Sequence, residues 1–102
     1  MDYITGFYRK VYGAKKHGYS NDRRRLNRLL KKAGIPFEWT HLWDGYKWTF
    51  PMCKQWPNGD CVIHSGSYGH THGMFETMGI GPECDCIART AEELIELLLQ
   101  QE

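Results

Sequence analysis

Residues 60–78, DCVIHSGSYGHTHGMFETM, have the pattern of two β-strands joined by a loop of glycine, serine and histidine. Residues 60–65 and 74–78 are short segments that contain apolar residues and are bounded by glycine-rich turns, which predicts two strands. Gly66, Gly69 and Gly73 lie between them and suit the positive φ angles of a tight connection. We expect this stretch to be the central hairpin of a sheet, with helices packed around it.

A second hairpin is predicted just before it, in residues 38–50, EWTHLWDGYKWTF. Asp44-Gly45 is a favoured two-residue type I′ turn. A turn there places aromatic residues opposite one another on one face, in the pairs Trp43 with Tyr46, His41 with Trp48 and Trp39 with Phe50. We expect this aromatic face to belong to the core.

A helix is predicted over residues 21–33, where Leu26, Leu29, Leu30 and Ala33 share one face. Ser20 or Asn21 is expected to cap its start. Gly34 stands where a left-handed residue ends a helix, and Pro36 prevents its continuation.

Two further helices are predicted at the ends of the chain. Thr90 and Glu93 have the spacing of a capping box, which starts a helix that runs to about Gln100. Residues 2–16 also carry an apolar stripe with helical spacing, although Gly6 and Gly13 oppose a helix, so that a flexible arm is the alternative. The predicted fold is α+β, with an antiparallel sheet of about four strands, a C-terminal helix and one or two N-terminal helices.

Length and composition favour a single domain over residues 1–102, made of a basic helical segment (1–34), a sheet region (35–88) and a C-terminal helix (90–101). Aromatic residues make up 14% of the chain, which argues against global disorder. The sequence contains no apolar run of signal-peptide or membrane-spanning length. We therefore expect a cytoplasmic protein, acting inside the cell that makes it, whose four cysteines are reduced.

The net charge of +1 conceals a strong asymmetry between the two parts of the chain. Residues 1–34 contain ten Lys or Arg and two Asp, a net charge of +8, whereas the remainder contains three Lys or Arg and ten Asp or Glu, a net charge of −7. Such segregation is typical of a surface that faces a polyanion, or of two halves that neutralise each other within the fold.

The basic segment supplies the predicted partner-binding or nucleic-acid-binding residues: Lys15, Lys16, Arg23, Arg24, Arg25, Arg28, Lys31 and Lys32. Lys and Arg neutralise phosphates, and neighbouring aromatic rings can stack on bases. The alternative is that these residues are the solvated face of an amphipathic helix, or that they pair with the glutamates of the last helix.

Three histidines of the central stretch, His64, His70 and His72, are minor candidates for a metal site. If residues 70–72 are extended, His70 and His72 project to the same side, and a cysteine can complete a tetrahedral set. The cysteines, however, lack the spacing of a zinc ribbon. The sequence predicts no resident cofactor. It also contains no recognisable nucleophile–base arrangement, so we do not expect an enzyme.

The order of segments WDGYKWTFP (43–51), NGDCVIHSGSYG (58–69), GMFETMG (73–79) and TAEELIELL (90–98) resembles small single-domain proteins encoded by phages and mobile elements of Gram-positive bacteria. Those of that class with an assigned role are often inhibitors of host defence, including anti-CRISPR proteins. The resemblance covers residues 38–98 and implies no particular site residues.

Resemblance and charge together lead us to expect a non-enzymatic phage-type inhibitor of a host defence system. Its partner would be a host defence protein or ribonucleoprotein, met through the basic N-terminal face. A small DNA- or RNA-binding phage regulator is the first alternative, and a small zinc-binding protein is the second.

Overall fold

The computed structural model of the chain describes residues 18–82 and 86–100. Within these ranges there are two α-helices and a five-stranded antiparallel sheet. The elements, in chain order, are α1 (Ser20–Ala33), β1 (Glu38–Leu42), β2 (Gly45–Thr49), β3 (Asp60–Ile63), β4 (Phe75–Met78), β5 (Ile87–Arg89) and α2 (Ala91–Leu99). The predicted α+β class is confirmed, with one strand more than expected.

The sheet is a meander in which each strand pairs with the next along the chain. Because side chains alternate along a strand, cross-strand partners share a face, and one row runs from Trp48 through Cys61 to Thr77. These three side chains are fully buried. Leu26 and Leu30 of α1 and Leu94 of α2 belong to the same core. The helices therefore cover one face of the sheet.

The predicted register of the first hairpin is wrong. The two-residue turn is Trp43-Asp44, so that Trp39 pairs with Trp48 and His41 with Tyr46. Trp43 has a φ of 53° whereas Asp44 does not have a positive φ, so the turn is not type I′. The pairing is displaced by two residues, and an even displacement keeps each side chain on its predicted face.

Contacts with β3 explain the position of this turn. Gly45 lies in β2 against the backbone of Ile63, where a Cβ would overlap the Ile63 carbonyl oxygen. A glycine is therefore required at this position because the two backbones approach closely, and not because the chain turns there. The Asp44 carboxylate accepts a hydrogen bond of 3.0 Å from the Ser65 N–H, which holds the turn beside the end of β3.

Helix α1 has the predicted C-terminus. Gly34 is left-handed, with a φ of 74°, and its N–H donates to the Lys31 carbonyl oxygen. The predicted cap by Ser20 or Asn21 is wrong, because Tyr19 is the N-cap residue and no side chain caps the helix. Buried Tyr19 is hydrogen-bonded to Nδ1 of His70 at 2.8 Å, which fixes the start of the helix one residue earlier.

Helix α2 begins as predicted, with both hydrogen bonds of the Thr90–Glu93 capping box formed. The unpredicted strand β5 precedes it. The Thr77 hydroxyl donates to the Ile87 carbonyl oxygen at 3.0 Å and accepts from Nε of Arg89 at 3.1 Å, which attaches β5 to β4. The predicted helix at residues 2–16 lies outside the described residues.

Candidate functional site

Helix α1 presents four rows of side chains, each made of residues four positions apart. Leu26 and Leu30 form the buried row, and the neighbouring row of Arg25, Leu29 and Ala33 lies on the side towards α2. Arg23, Asn27 and Lys31 form the row on the side of β1 and β2. Arg24, Arg28 and Lys32 form the outermost row, and all three are exposed.

Arg23, a predicted binding residue, is packed within the fold. Its guanidinium carbon lies 4.8 Å from the ring centroid of Trp39 and 5.2 Å from that of Tyr46, both at cation–π distance. Its Nε is buried and has no hydrogen-bond partner among the described residues. The pKa of the Tyr46 hydroxyl is lowered, first by its hydrogen bond with Ser20 and then by Arg23. Arg23 therefore joins α1 to the aromatic residues of the first hairpin.

Arg25 is also engaged inside the molecule. It forms an ion pair with Glu92 at the start of α2, as the sequence suggested for part of the basic charge. The pKa of Glu92 is lowered by a backbone hydrogen bond and by Arg25. Because both side chains are about half exposed or more, this pair contributes little to stability.

The remaining four cations of α1 point away from the core, and we call them the basic face: Arg24, Arg28, Lys31 and Lys32. Arg24 donates to Oδ1 of Asn21 at 2.5 Å. No carboxylate of the described residues forms an ion pair with any of the four. Lys15 and Lys16, the other predicted binding residues, lie outside the described part of the chain.

Beside the basic face lies a set of exposed aromatic side chains, which we call the aromatic edge: Trp39, His41 and Trp43. Trp39 and His41 are on the outermost strand β1, with their ring centroids 5.7 Å apart. Trp43, in the turn, is 81% exposed. Its ring centroid lies 4.8 Å from that of His64, in an edge-to-face arrangement. The expectation that this aromatic face is core is therefore confirmed for β2 and wrong for β1, because β1 lies at the edge of the sheet.

The three histidines of the central stretch are not brought together as metal ligands. Residues His70–His72 form a 3₁₀ turn and are not extended, so the predicted projection to one side is wrong. Nδ1 of His70 bonds Tyr19, and Nδ1 of buried His64 accepts from the Gly66 N–H. Among the described residues, no three His, Cys, Asp or Glu side chains lie close enough to hold a metal.

Around the loop between β3 and β4, polar groups of the described residues make local contacts. Burial raises the pKa of Tyr19, which is hydrogen-bonded to His70 of this loop, and Asp44 and Asp22 add smaller effects of the same sign. The Ser67 hydroxyl donates a hydrogen bond to the His64 carbonyl oxygen and not to the His64 imidazole ring. Burial raises the pKa of the Cys61 thiol well above its usual range, which disfavours the nucleophilic thiolate.

Comparison with protein-family models, with curated proteins and with solved structures found no match for this chain. No helix in the described ranges has the length and apolar character needed to cross a membrane. The chemistry of the site therefore follows from the chain's own residues, and the basic face with the adjoining aromatic edge is the strongest candidate.

Proposed function

We propose that this protein is a non-enzymatic binding protein, an anti-CRISPR-like inhibitor of a host defence system. Its target is a nucleic-acid-binding protein or a ribonucleoprotein, and it acts through the basic face. The supporting observation is the group of four exposed cations on one side of α1, which no carboxylate of the described residues neutralises.

The arrangement of the cations suits a polyanionic target. Arg24, Arg28 and Lys32 follow one another at intervals of four residues, or about 6 Å along the helix axis. Such a row can contact successive negative groups of an extended partner and release the counterions around them. Folding does not require this row, because Leu26 and Leu30 on the opposite side supply the buried contacts of the helix.

The proposal that the protein is an inhibitor comes from its resemblance to small phage and mobile-element proteins, and the surface itself suggests only binding. An inhibitor of this kind would occupy the groove that nucleic acid uses, or hold the nucleic acid of a ribonucleoprotein. Neither mode requires a catalytic group on the inhibitor.

Affinity capture from a defence-competent bacterial host, with and without nuclease treatment, tests the proposal. The decisive variant is Arg24→Gln with Arg28→Gln, since glutamine has a helix propensity similar to that of arginine. Lys54→Glu is the matched control, because this exposed residue lies in the β2–β3 connection and both variants lower the net charge from +1 to −1.

We expect the wild type and the Lys54→Glu control to capture the same defence protein or ribonucleoprotein, and the Arg24/Arg28 variant to lose it. Loss of the target after nuclease treatment would identify nucleic acid as the contact. Capture and inhibition that persist unchanged in the Arg24/Arg28 variant would disprove the role of the basic face.

The aromatic edge favours a second candidate function, that of a small DNA- or RNA-binding regulator. Exposed rings beside cations are characteristic of proteins that bind nucleic acid directly. This candidate predicts salt-sensitive retention of purified DNA or RNA without a protein partner, whereas the inhibitor requires its target protein for tight capture.

A further inference from the structure

We propose that the basic face and the aromatic edge form one continuous surface that binds unpaired nucleotides. The cations of α1 would contact the phosphates, and Trp39, His41 and Trp43 would stack with the bases. This inference rests on the second candidate function, direct binding of DNA or RNA, and specifies the chemistry that the surface recognises, which is that of single-stranded DNA or RNA.

Contacts at two points place helix α1 beside the first hairpin. At the start of α1, the Ser20 hydroxyl lies 3.3 Å from the Tyr46 hydroxyl, and two turns later Oδ1 of Asn27 accepts from Nε1 of Trp48 at 2.7 Å. Helix α1 therefore runs along β2, with β1 on the outer side. Arg23, between α1 and Trp39, connects the row of cations with the row of rings.

The aromatic edge retains exposed ring surface in the folded protein. Trp43 is 81% exposed and Trp39 is 38% exposed, so both rings retain surface that a ligand can cover. Trp43 also has a φ of 53°, a conformation that is unfavourable for a bulky residue. A large indole at a strained and exposed position contributes little to the core, whereas it provides a flat surface for a base.

The combination of rings and cations distinguishes unpaired nucleotides from other polyanions. In a duplex the base faces are already stacked, so the rings gain nothing from them. An acidic protein surface offers charge without planar bases. Single strands offer both phosphates and free base faces, and each stacked base adds about 1–3 kcal/mol of binding free energy.

The test measures binding of labelled oligonucleotides to the full chain by fluorescence anisotropy. The probes are oligo(dT) and oligo(rU) of about twelve nucleotides, within the site sizes of single-strand binders, and a duplex of equal length. Trp43→Asn is the decisive variant, because asparagine tolerates positive φ better than tryptophan. Met52→Asn is its control, since Met52 is 70% exposed and lies in the β2–β3 connection.

We expect the single strands to bind more tightly than the duplex, and Trp43→Asn to weaken single-strand binding by roughly 5- to 150-fold. Trp43→Phe, which keeps an aromatic ring, and Met52→Asn should bind like the wild type. The Arg24/Arg28 variant should bind single strands more weakly. The slope of log K against log salt concentration should also become less steep, by about 1.4, because two phosphate contacts are lost. The two single-stranded probes distinguish DNA from RNA as the source of the nucleotides.

Equal binding of single strands and duplex, with no effect of Trp43→Asn, would overturn this inference and leave the basic face in place. Absence of binding to every probe would also overturn it, while the proposed function would survive if capture of the defence target still required Arg24 and Arg28. Wild-type capture by the Arg24/Arg28 variant would remove the proposed function itself.

Discussion

Cys61 shows how strongly the environment within the core changes the chemistry of one residue. It lies on β3 between Trp48 and Thr77, its cross-strand partners, and no part of it reaches solvent. Burial raises the pKa of its thiol, with a smaller effect of the same sign from Asp60. The neutral thiol is therefore the form that the folded protein stabilises.

The raised pKa of Cys61 predicts that the free energy of unfolding decreases at alkaline pH. The contribution of Cys61 is fully present below about pH 9, the ordinary pKa of the thiol, and is lost as the pH rises from there towards the folded-state pKa. The free energy of unfolding should fall by up to about 1.4 kcal/mol per pH unit in this range.

Urea unfolding of the wild type and Cys61→Ala at neutral pH and at about pH 9.5 measures the effect. Cys61→Ala should lose this part of the pH dependence, and Cys53→Ala, which leaves Cys61 in place, should keep it. An identical pH dependence in Cys61→Ala and wild type would show that the thiol does not titrate on unfolding.

Among the elements, the C-terminus of α1 and the N-terminus of α2 were predictable because they depend on local sequence. Gly34 ends α1 and the Thr90–Glu93 capping box starts α2, as expected. Strand β5 was missed because it has three residues and no alternating pattern, and it is held by the tertiary contacts of Thr77 and Arg89.

The candidate site was predictable only in part, because it too depends on tertiary contacts. The sequence identified the cations of α1 but not which of them are already engaged, since Trp39 and Glu92 are distant in sequence from Arg23 and Arg25. The aromatic residues of the hairpin were recognised, but their exposure depends on β1 lying at the edge of the sheet.

The capping box gives a prediction for α2. Thr90→Ala removes the hydroxyl that accepts a hydrogen bond from the Glu93 N–H at 3.1 Å, and it should lower the free energy of unfolding by about 1 kcal/mol. Chemical denaturation measures the change, and Thr71→Ala, at an exposed position in the loop between β3 and β4, is the control. Equal loss of stability in the two variants would contradict a specific capping contribution.

For the whole molecule, the meander predicts a gradient of local stability across the sheet. Strands β2, β3 and β4 each have two neighbours and carry most of the buried sheet residues, whereas β1 is largely exposed and β5 is only partly buried. Local opening requires little loss of buried apolar contact at such edges.

Amide hydrogen exchange, followed residue by residue, tests this gradient. We expect the hydrogen-bonded amides of β2 and β3 to exchange most slowly, near the rate set by global unfolding, and those of β1 and β5 to exchange faster through local opening. Protection of β1 equal to that of β3 would show that the outer strand is held by contacts beyond its pairing with β2.

The four rows of α1 have a consequence for how this protein can change during evolution. Leu26 and Leu30 maintain the fold from one side of the helix, and the exposed row of Arg24, Arg28 and Lys32, the proposed contact with the partner, lies on the other. Substitutions in the exposed row are then nearly neutral for stability. If this row is the partner contact, a lineage can alter its choice of partner stepwise while every intermediate sequence remains folded.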